Sequence, residues 1–510
     1  MKLELNLIFY LIFIVFVLFP EGSNAQIEQP RRYEVELKYS DDFFSVISAE
    51  ENGIFLIREN HDLSHRSDVI WQTILLDTLL NEEWNKDIFM PYDYEIKGYD
   101  YLNDKIYLLF LPEQTSLKDH LVLEINLKTS VYQKYTIKRT INMQLTEFEI
   151  LNNTAVFGGY VNNRPAVIQY YLKEGITKVL PGFYHDKSRL LQIDINDEKE
   201  LITILSSIKT FNNYYSIAVK KFTEDGEMIE EFTINPQENT SLMDGRNISI
   251  NNQVDIIAGT YSNKNSKYSR GIFLAYVDEA GEQNLLYYNY GDLENFFSYM
   301  KAKRQERVKN KITRKNINGK KVKFKYRLLV QDIIKQKDSY ILVGEAYYPK
   351  YNNYGHSSYY GGYYSPNTMG STTYFEGYKY THAVVIGFGD KGKLLWDNSF
   401  EINDVMSLSL KQLVEVYPRE EDIVLLYNYE NVIRTKLIEG EEVIEGKSFN
   451  DISLKFQDDE AKSNASEYGG MELWYDEVFY AYGVQKIRNM KDTGVKLNRE
   501  VFFINKIIYN

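Results

Sequence analysis

Polar tight turns recur along this 510-residue chain about every 50 residues, and this period constrains the fold more than any other feature. Each turn separates two strand-like runs. The turns are marked by Thr78, Ser130, Gly175, Gly226, Gly281, Gly392 and Gly440. The interval from Gly281 to Gly392 is 111 residues long, and removing two segments of unusual composition, 301–327 and 347–380, reduces it to 50. The chain is therefore predicted to repeat one supersecondary unit, with two insertions in one of the repeats.

The runs between the turns are rich in Val, Ile, Tyr and Phe and have the length of β-strands. Four such strands per 50 residues are typical of a β-propeller blade, so we predict an all-β fold. We count seven full units and an eighth that stops after its third strand. The unassigned segment 31–39, RRYEVELKY, is predicted to complete the last blade and close an eight-bladed ring, which removes open sheet edges. Seven blades are the alternative, because 71–84, WQTILLDTLLNEEW, could instead form a helix.

One turn carries a recognisable motif. Residues 389–400 read GDKGKLLWDNSF and place Gly392 four residues before Trp396. The chain resembles secreted β-propeller repeat proteins, and this motif is similar to the turn-Gly-x-Leu-x-Trp signature of quinoprotein-like propellers. The tryptophan occurs in this unit only, so we predict no cofactor.

The N-terminal segment is typical of a secretory signal peptide. Its apolar run, Leu7 to Phe19, is too short at ~1.5 Å per residue to cross a ~30 Å hydrocarbon core, and the small residues Ser23 and Ala25 suit signal peptidase. We predict a signal peptide over 1–25 and one propeller domain over 26–510, secreted or periplasmic, monomeric and without a transmembrane segment. The absence of cysteine excludes disulfides and thiolate metal sites.

The first insertion, 292–327, is strongly basic. Between 301 and 327 it has thirteen Lys or Arg and one acidic residue, although the whole chain has a net charge of -13. We predict a helix at its start, because Leu293, Phe296, Phe297 and Met300 have helical spacing, followed by a hairpin around Asn318-Gly319. The hairpin could bind an anionic partner or could only offset the acidic body.

The second insertion, 347–380, has eleven tyrosines separated by Gly, Ser and Asn. Tyrosine in such a context forms adaptable recognition surfaces, although a disordered low-complexity loop is the alternative. Both insertions are predicted on the face where second-to-third-strand loops and blade-to-blade links emerge. The predicted binding residues come from both insertions: Tyr359, Tyr360, Tyr363, Tyr364, Lys320, Lys321, Lys323 and Arg327.

Other motifs are interpreted structurally. Gly387–Gly392 matches a dinucleotide fingerprint, but a hairpin and not a helix is expected after it. His61 and His65 lie in a polar loop, and 194–197 lacks the glycine and distal glutamate of a calcium loop. We therefore predict no metal site and no catalytic residue, and the acidic chain and its predicted export argue against a nucleic acid partner.

Three functions are compatible with this pattern. The first is a non-enzymatic extracytoplasmic propeller that binds a glycan or a protein at the cell envelope through its loop-rich face. The second is a hydrolase or lyase acting on polysaccharide in the central funnel, with acids such as Glu149, Asp194 and Asp332. Carboxylates that converge in the funnel would favour the second function. The third is a structural protein with disordered insertions.

Overall fold

The chain forms an eight-bladed β-propeller of eight antiparallel sheets around a central channel. A computed structural model describes residues 27–38, 43–60, 68–112, 118–139, 142–237, 239–250, 254–263, 267–354, 372–389, 391–464, 469–491 and 494–510. In each blade the strands follow one another from the channel outward, and the first strands of several successive blades contact one another. The predicted fold class is therefore confirmed.

The strands are numbered along the chain, beginning with β1 (Ile27–Glu36). Blade 1 contains β2 (Ser45–Ser48), β3 (Ile54–Asn60), β4 (Asp68–Leu76) and β5 (Glu82–Pro91), with a 3₁₀ turn at Glu50–Asn52. Blade 2 contains β6 (Tyr94–Leu102), β7 (Lys105–Pro112), β8 (His120–Asn126) and β9 (Tyr132–Ile137). Blade 3 contains β10 (Gln144–Leu151), β11 (Thr154–Val161), β12 (Arg164–Tyr171) and β13 (Ile176–Leu180). Blade 4 contains β14 (Arg189–Asn196), β15 (Leu201–Lys209), β16 (Tyr215–Thr223) and β17 (Met228–Ile234).

Blade 5 contains β18 (Ser241–Ile250), β19 (Val254–Ser262), β20 (Gly271–Val277) and β21 (Gln283–Asn289), and the helix α1 (Ala302–Ile317) follows it. Blade 6 contains β22 (Arg327–Val330), β23 (Ile334–Gln336), β24 (Ser339–Tyr354), β25 (Thr372–Gly389), β26 (Leu394–Glu401) and β27 (Met406–Ser407). Blade 7 contains β28 (Glu415–Pro418), β29 (Ile423–Tyr429), β30 (Val432–Glu439) and β31 (Glu442–Asp451). Blade 8 contains β32 (Asp459–Asn464), β33 (Gly470–Tyr475), β34 (Val478–Asn489), β35 (Asn498–Tyr509) and β1. The segment 71–84 lies in β4, β5 and the turn between them, so the seven-bladed alternative is wrong.

The core is divided among the interfaces between blades. Eight clusters of buried apolar side chains each join two neighbouring blades, and the cluster around Phe502 and Trp474 joins blade 8 to blade 1. Alternating side chains of each sheet point into these interfaces, which is why the strands are apolar on both faces.

The ring is closed by the N-terminal strand, as predicted. β1 pairs antiparallel with β35, with Arg32 opposite Asn505 and Val35 opposite Phe502. The Arg32 guanidinium donates to Asn505 Oδ1 and Gln485 Oε1, both at 2.7 Å. Because β1 covers the outer edge of β35, the last blade is complete only when both ends of the chain are present.

The basic insertion differs from its prediction. Residues 293–300 form turns whose apolar side chains enter the core, and the helix begins later, at Ala302. The segment before Asn318 is helical and not a hairpin strand, because Val308 and Ile312, four residues apart, pack against the cluster between blades 5 and 6. Gly319, at φ +64°, ends α1, since its backbone conformation lets the Lys320 amide donate to the Lys315 carbonyl.

The second insertion is the end of a long hairpin. β24 and β25 stay paired from Ser339–Gly389 out to Tyr354–Thr372, so 347–354 and 372–380 are strands, although we predicted a loop throughout. The insertion extends the two middle strands of blade 6 beyond the propeller face. In the described part of the chain, no helix is long and apolar enough to cross a membrane.

Candidate functional site

The predicted binding residues divide into three groups. Tyr359, Tyr360, Tyr363 and Tyr364 lie outside the described residues. Lys320, Lys321 and Lys323 are exposed in the extended segment that follows α1. Arg327 is half-buried at the start of β22 and is the predicted binding residue that lines a cavity.

That cavity, here called the insertion-face pocket, has a volume of about 520 Å³ and lies between blades 4, 5 and 6. The first strands of these blades begin at it, and the extended part of β24 forms one wall. Its lining residues are Arg189, Tyr215, Met243, Asp244, Thr260, Lys267, Ser269, Tyr326, Arg327, Leu328, Tyr347 and Tyr351. It therefore lies on the face that bears both insertions.

Three cations give the pocket its charge. The Arg189 side chain donates to the Met243 carbonyl at 2.5 Å, and the Arg327 guanidinium lies 5.1 Å from the centre of the Tyr268 ring. Arg327 Nε is buried and has no hydrogen-bond partner among the described residues. Lys267 is the third cation, and Asp244 is the acid in the same pocket. Burial raises the pKa of Asp244, although the positive charges of Arg246 and Arg189 act in the opposite direction. An anionic group would meet three positive charges and one carboxyl with a weakened tendency to ionise.

Tyrosine rings form the other wall of the pocket. Tyr347 and Tyr351 lie at the root of the tyrosine-rich insertion, and Tyr351 is 58% exposed. The Tyr347 ring meets Tyr378 edge-on at 5.6 Å, while Tyr351 lies 5.6 Å from Phe375. These contacts hold the rings in place while leaving one face of Tyr351 open, which suits stacking against a flat apolar surface such as a sugar ring.

A stretch of exposed cations runs up to the pocket; we call residues 301–325 the basic track. It contains α1, in which seven of sixteen residues are Lys or Arg, and the extended segment 318–325. In that segment Val322 and Phe324 point inward, while Lys321, Lys323 and Lys325 are exposed. The alternation of charged and apolar residues that we predicted is present, although it belongs to a single extended segment.

The central channel has the opposite charge. Six carboxyls line a cavity of about 430 Å³ at the inner strands of blades 2 to 6. One of them, Asp197, lies in the turn after β14, and the other five, Asp100, Glu147, Glu149, Asp194 and Asp332, are here called the channel acids. The three acids named from the sequence, Glu149, Asp194 and Asp332, are thus brought together. Arg246 ion-pairs with Asp332, Nε to Oδ1 at 3.2 Å, and approaches Asp244 of the insertion-face pocket at 3.6 Å.

Burial raises the pKa of four channel acids, Asp100, Glu147, Glu149 and Asp194, and the negative charges of neighbouring acids add to the effect. Burial, followed by the negative charges of the other channel acids, raises the pKa of Glu149 to about 8. The pKa of Asp194 is raised to about 6 by burial and the charge of Asp332. Burial also raises the pKa of Asp100 to about 6, although two backbone amides counter it. A protonated and an ionised carboxyl can therefore coexist here near neutral pH, which is the requirement for general acid and base catalysis.

The remaining sequence motifs have structural explanations. Gly387 and Gly389 end β25, and Gly392 lies in the turn that leads to the strand β26, so a hairpin follows as predicted. A Cβ on Gly387 would come within 2.1 Å of the Trp396 ring. His61 and His65 lie outside the described residues. Over the described ranges, no group of three or more His, Asp or Glu side chains is arranged to hold a metal ion.

Sequence reasoning missed Arg189, Lys267 and Arg246. Arg189 lies in blade 4, whereas Arg246 and Lys267 lie in different elements of blade 5, and a pattern within one repeat does not indicate that they face a common space. For Arg189 and Lys267 the available signal was their position at loop-face strand ends, since Arg189 begins β14 and Lys267 precedes β20.

Comparisons with known proteins do not assign the chain to a family. No family model matches the chain, and no curated protein matches it. Among solved structures it is similar to the β-propeller domain of the Trilobed protease from Pyrococcus furiosus, with 11% identity, a TM-score of 0.36, and coverage of 81% of this chain and 93% of that one. It is also similar to the polysaccharide lyase Uly1, with 10% identity, a TM-score of 0.41, and coverage of 82% and 92%. A third similar structure is the Pyrococcus horikoshii acylaminoacyl peptidase, with 11% identity, a TM-score of 0.35, and coverage of 79% and 53%.

Proposed function

We propose that this protein is an extracytoplasmic recognition propeller that binds a glycan or a protein partner in the insertion-face pocket without transforming it. The observation that carries the proposal is the meeting of the two insertions at one cavity. Arg327, from the basic insertion, and Tyr347 and Tyr351, from the tyrosine-rich insertion, line the same pocket. Insertions that converge on one site of a rigid scaffold are where binding residues are usually found.

The pocket has the size and chemistry of a ligand site. Its volume of about 520 Å³ lies within the range of about 300–1,000 Å³ that is common for small-ligand sites. Tyrosine rings supply flat contact area, and the free Nε of Arg327 supplies a hydrogen-bond donor without a partner. The site therefore accommodates one or two sugar units or a short polar segment of a protein.

The proposal includes export. The leader over 1–25, which lies outside the described residues, would direct the chain to the cell envelope, and the partner would be found there. The tyrosines Tyr359, Tyr360, Tyr363 and Tyr364 would extend the surface that the pocket begins.

The register of the long hairpin permits a sharp test. Tyr351 pairs with Phe375, so replacing 352–374 with Asn-Gly makes a two-residue hairpin that keeps both flanking residues in register. This variant and Arg327→Ala/Tyr351→Ala are compared with the unchanged protein on an array of defined neutral and acidic oligosaccharides and in capture of proteins from the native envelope. The matched control, Lys173→Ala/Lys393→Ala, changes two exposed residues in strand-three-to-four turns of the opposite face.

Arg327→Ala/Tyr351→Ala should lose ligand binding by at least about tenfold, which corresponds to ~1.4 kcal/mol. The shortened hairpin keeps every lining residue of the pocket, so it should lose only the binding that the outer tyrosines contribute. The control should bind normally, and all proteins should unfold cooperatively at similar temperatures. Binding that survives both pocket variants would contradict the proposal.

A second candidate function has its own observation. The channel acids converge, and their pKa values of about 6 for Asp194 and about 8 for Glu149 differ, which favours a hydrolase or lyase acting on polysaccharide in the channel. In that case Glu149→Gln would abolish release of reducing ends from a polysaccharide substrate. Arg327→Ala/Tyr351→Ala would leave turnover at saturating substrate unchanged.

A further inference from the structure

The positive charges of the basic track are almost entirely unpaired within the described part of the chain. All twelve Lys and Arg side chains between 301 and 325 are exposed. Among the described residues, one of them forms an ion pair: Lys321 Nζ lies 2.6 Å from Asp292 Oδ2. The track therefore does little to neutralise the acidic body of the propeller.

The positive charges of the basic track also destabilise α1. α1 has no acidic residue in its first turn, where the helix dipole favours negative charge. Lys303, Arg307, Lys311 and Lys315 follow one another at four-residue intervals, so neighbouring positive charges repel along the helix. Neither local stability nor ion pairing within the described structure explains this arrangement, whereas an external polyanion would relieve the repulsion.

The track leads to the insertion-face pocket. Ile312 of α1 and Phe324 both lie beside Gly291, so the middle of the helix is close to the chain just before Arg327. Tyr326 then bridges to Ser269 and, with Arg327, lines the pocket. With sixteen residues, α1 extends the positive surface by about 24 Å, at ~1.5 Å per residue.

We propose that the ligand of this protein is an anionic polysaccharide, which bears carboxylate or sulfate groups, and that the basic track binds its repeating charges while the insertion-face pocket binds one of its sugar units. The inference rests on the proposed function and names its ligand class. Arg189, Lys267 and Arg327 would face the acidic group of the unit in the pocket, and Tyr351 would stack on its ring.

The structure favours a polysaccharide over a membrane surface. Helices that lie on membranes bury an apolar face in the lipid, but Val308 and Ile312 of α1 pack against the propeller, and Ile317, at the end of the helix, is its one large apolar side chain that is exposed. The surface that α1 presents to solvent is therefore mainly charged, and it suits a hydrated, flexible polyanion.

The test uses defined probes and the full mature chain. Binding is measured by calorimetry for oligogalacturonate, chondroitin sulfate, neutral cello-oligosaccharide, phosphatidylcholine vesicles containing phosphatidylglycerol, and single-stranded DNA. Salt is varied from about 0.01 M to about 1 M, over which the Debye length falls from ~30 Å to ~3 Å. The track variant is Lys303→Glu/Arg307→Glu/Lys311→Glu/Lys315→Glu. Its control reverses four exposed lysines on the opposite face, of which Lys173, Lys391 and Lys393 lie in turns and Lys335 lies in the short strand β23.

At least one acidic oligosaccharide should bind about tenfold or more tightly than the neutral one at low salt, and this preference should disappear at high salt. The track variant should lose the preference, the opposite-face control should keep it, and Arg327→Gln should weaken binding of the acidic ligand at both salt concentrations. Equal affinity for acidic and neutral saccharides, or an acidic preference that survives the track variant, would overturn the inference. Binding to vesicles or DNA that exceeds binding to both acidic saccharides would also overturn it, because it would assign the track to a membrane or a nucleic acid.

The result also separates this inference from the proposed function. Saccharide binding that depends on Arg327 and Tyr351 but not on the track or on the charge of the sugar would contradict only the inference. Binding that is indifferent to Arg327 and Tyr351 would contradict the proposed function itself.

Discussion

Substitution of Glu149 by glutamine should stabilise the propeller at a pH at which Glu149 is protonated in the folded protein but ionised in the unfolded chain. Burial and the neighbouring channel acids raise the pKa of Glu149 from 4.5 to about 8. Between these two values the folded protein holds a proton that the unfolded chain has released. The folded state therefore binds more protons, and stability falls as the pH rises through this window.

The magnitude follows from the width of the window. From the unfolded pKa of 4.5 to pH 7 is an interval of about 2.5 pH units, over which the carboxyl is ionised in the unfolded chain and protonated in the folded protein. At ~1.36 kcal/mol per pH unit, the free energy of unfolding is lowered by about 3 kcal/mol. Glutamine resembles the protonated acid and carries no such cost. Glu149→Gln should thus gain about 2–3 kcal/mol at pH 7, allowing for water in the channel, and close to nothing at pH 4.

Scanning calorimetry over a pH series measures this directly. A domain of this size has an unfolding entropy of roughly 1 kcal/mol per kelvin, so the expected rise in Tm at pH 7 is about 2–3 °C. The control is Glu174→Gln, which changes an exposed acid in the turn between β12 and β13 and should shift Tm equally little at every pH. A Glu149→Gln shift that is the same at pH 4 and pH 7, or that is destabilising at pH 7, would refute the reasoning.

Two further predictions concern the scaffold. Gly387→Ala should lower the free energy of unfolding by about 1–3 kcal/mol, because the new Cβ would lie 2.1 Å from the Trp396 ring. Urea denaturation measures this change, and a midpoint equal to that of the unchanged protein would contradict the packing that we describe. Deleting residues 26–36 should expose the edge of β35 and produce concentration-dependent association in sedimentation velocity, whereas a monomer with unchanged Tm would show that β1 is not needed to close the ring.

The fold could be predicted because the residues that form each repeated turn are determined by local backbone conformation. Turn positions need particular backbone conformations, and Gly392 and Gly440 have φ of +71° and +55°, which glycine adopts without strain. Once the turns were placed, the unpaired strand at the N-terminus and the unfinished blade at the C-terminus indicated ring closure. The pairing of the N-terminal strand with the last blade thus follows from the number of strands, whereas the register that sets Val35 opposite Phe502 comes from the structure.

The basic insertion could not be predicted in the same way, because its signals are ambiguous. Asn318-Gly319 suits both a hairpin turn and the end of a helix, since both need a positive φ. What decides between them is the packing of Val308 and Ile312 on blades 5 and 6, and that surface exists only in the folded ring. The strand order indicated three of the channel acids, Glu149, Asp194 and Asp332. The convergence of Arg189 and Lys267 could not be predicted in this way, because it depends on how three blades meet.

The insertion-face pocket and the channel have opposite charge, and this makes the two candidate functions separable. An anionic polymer held by the basic track and the insertion-face pocket is attracted by Arg327 but repelled by the ionised channel acids below. Arg246, which contacts both Asp244 and Asp332, stands at the boundary between the two regions. The negative charge of the channel increases as Asp194 and Glu149 ionise, so an enzyme acting there on an acidic sugar would lose affinity as the pH rises from 6 to 8. A binder that uses only the insertion-face pocket would keep its affinity over that range. The pH dependence of saccharide affinity therefore distinguishes the pocket from the channel even before any product is sought.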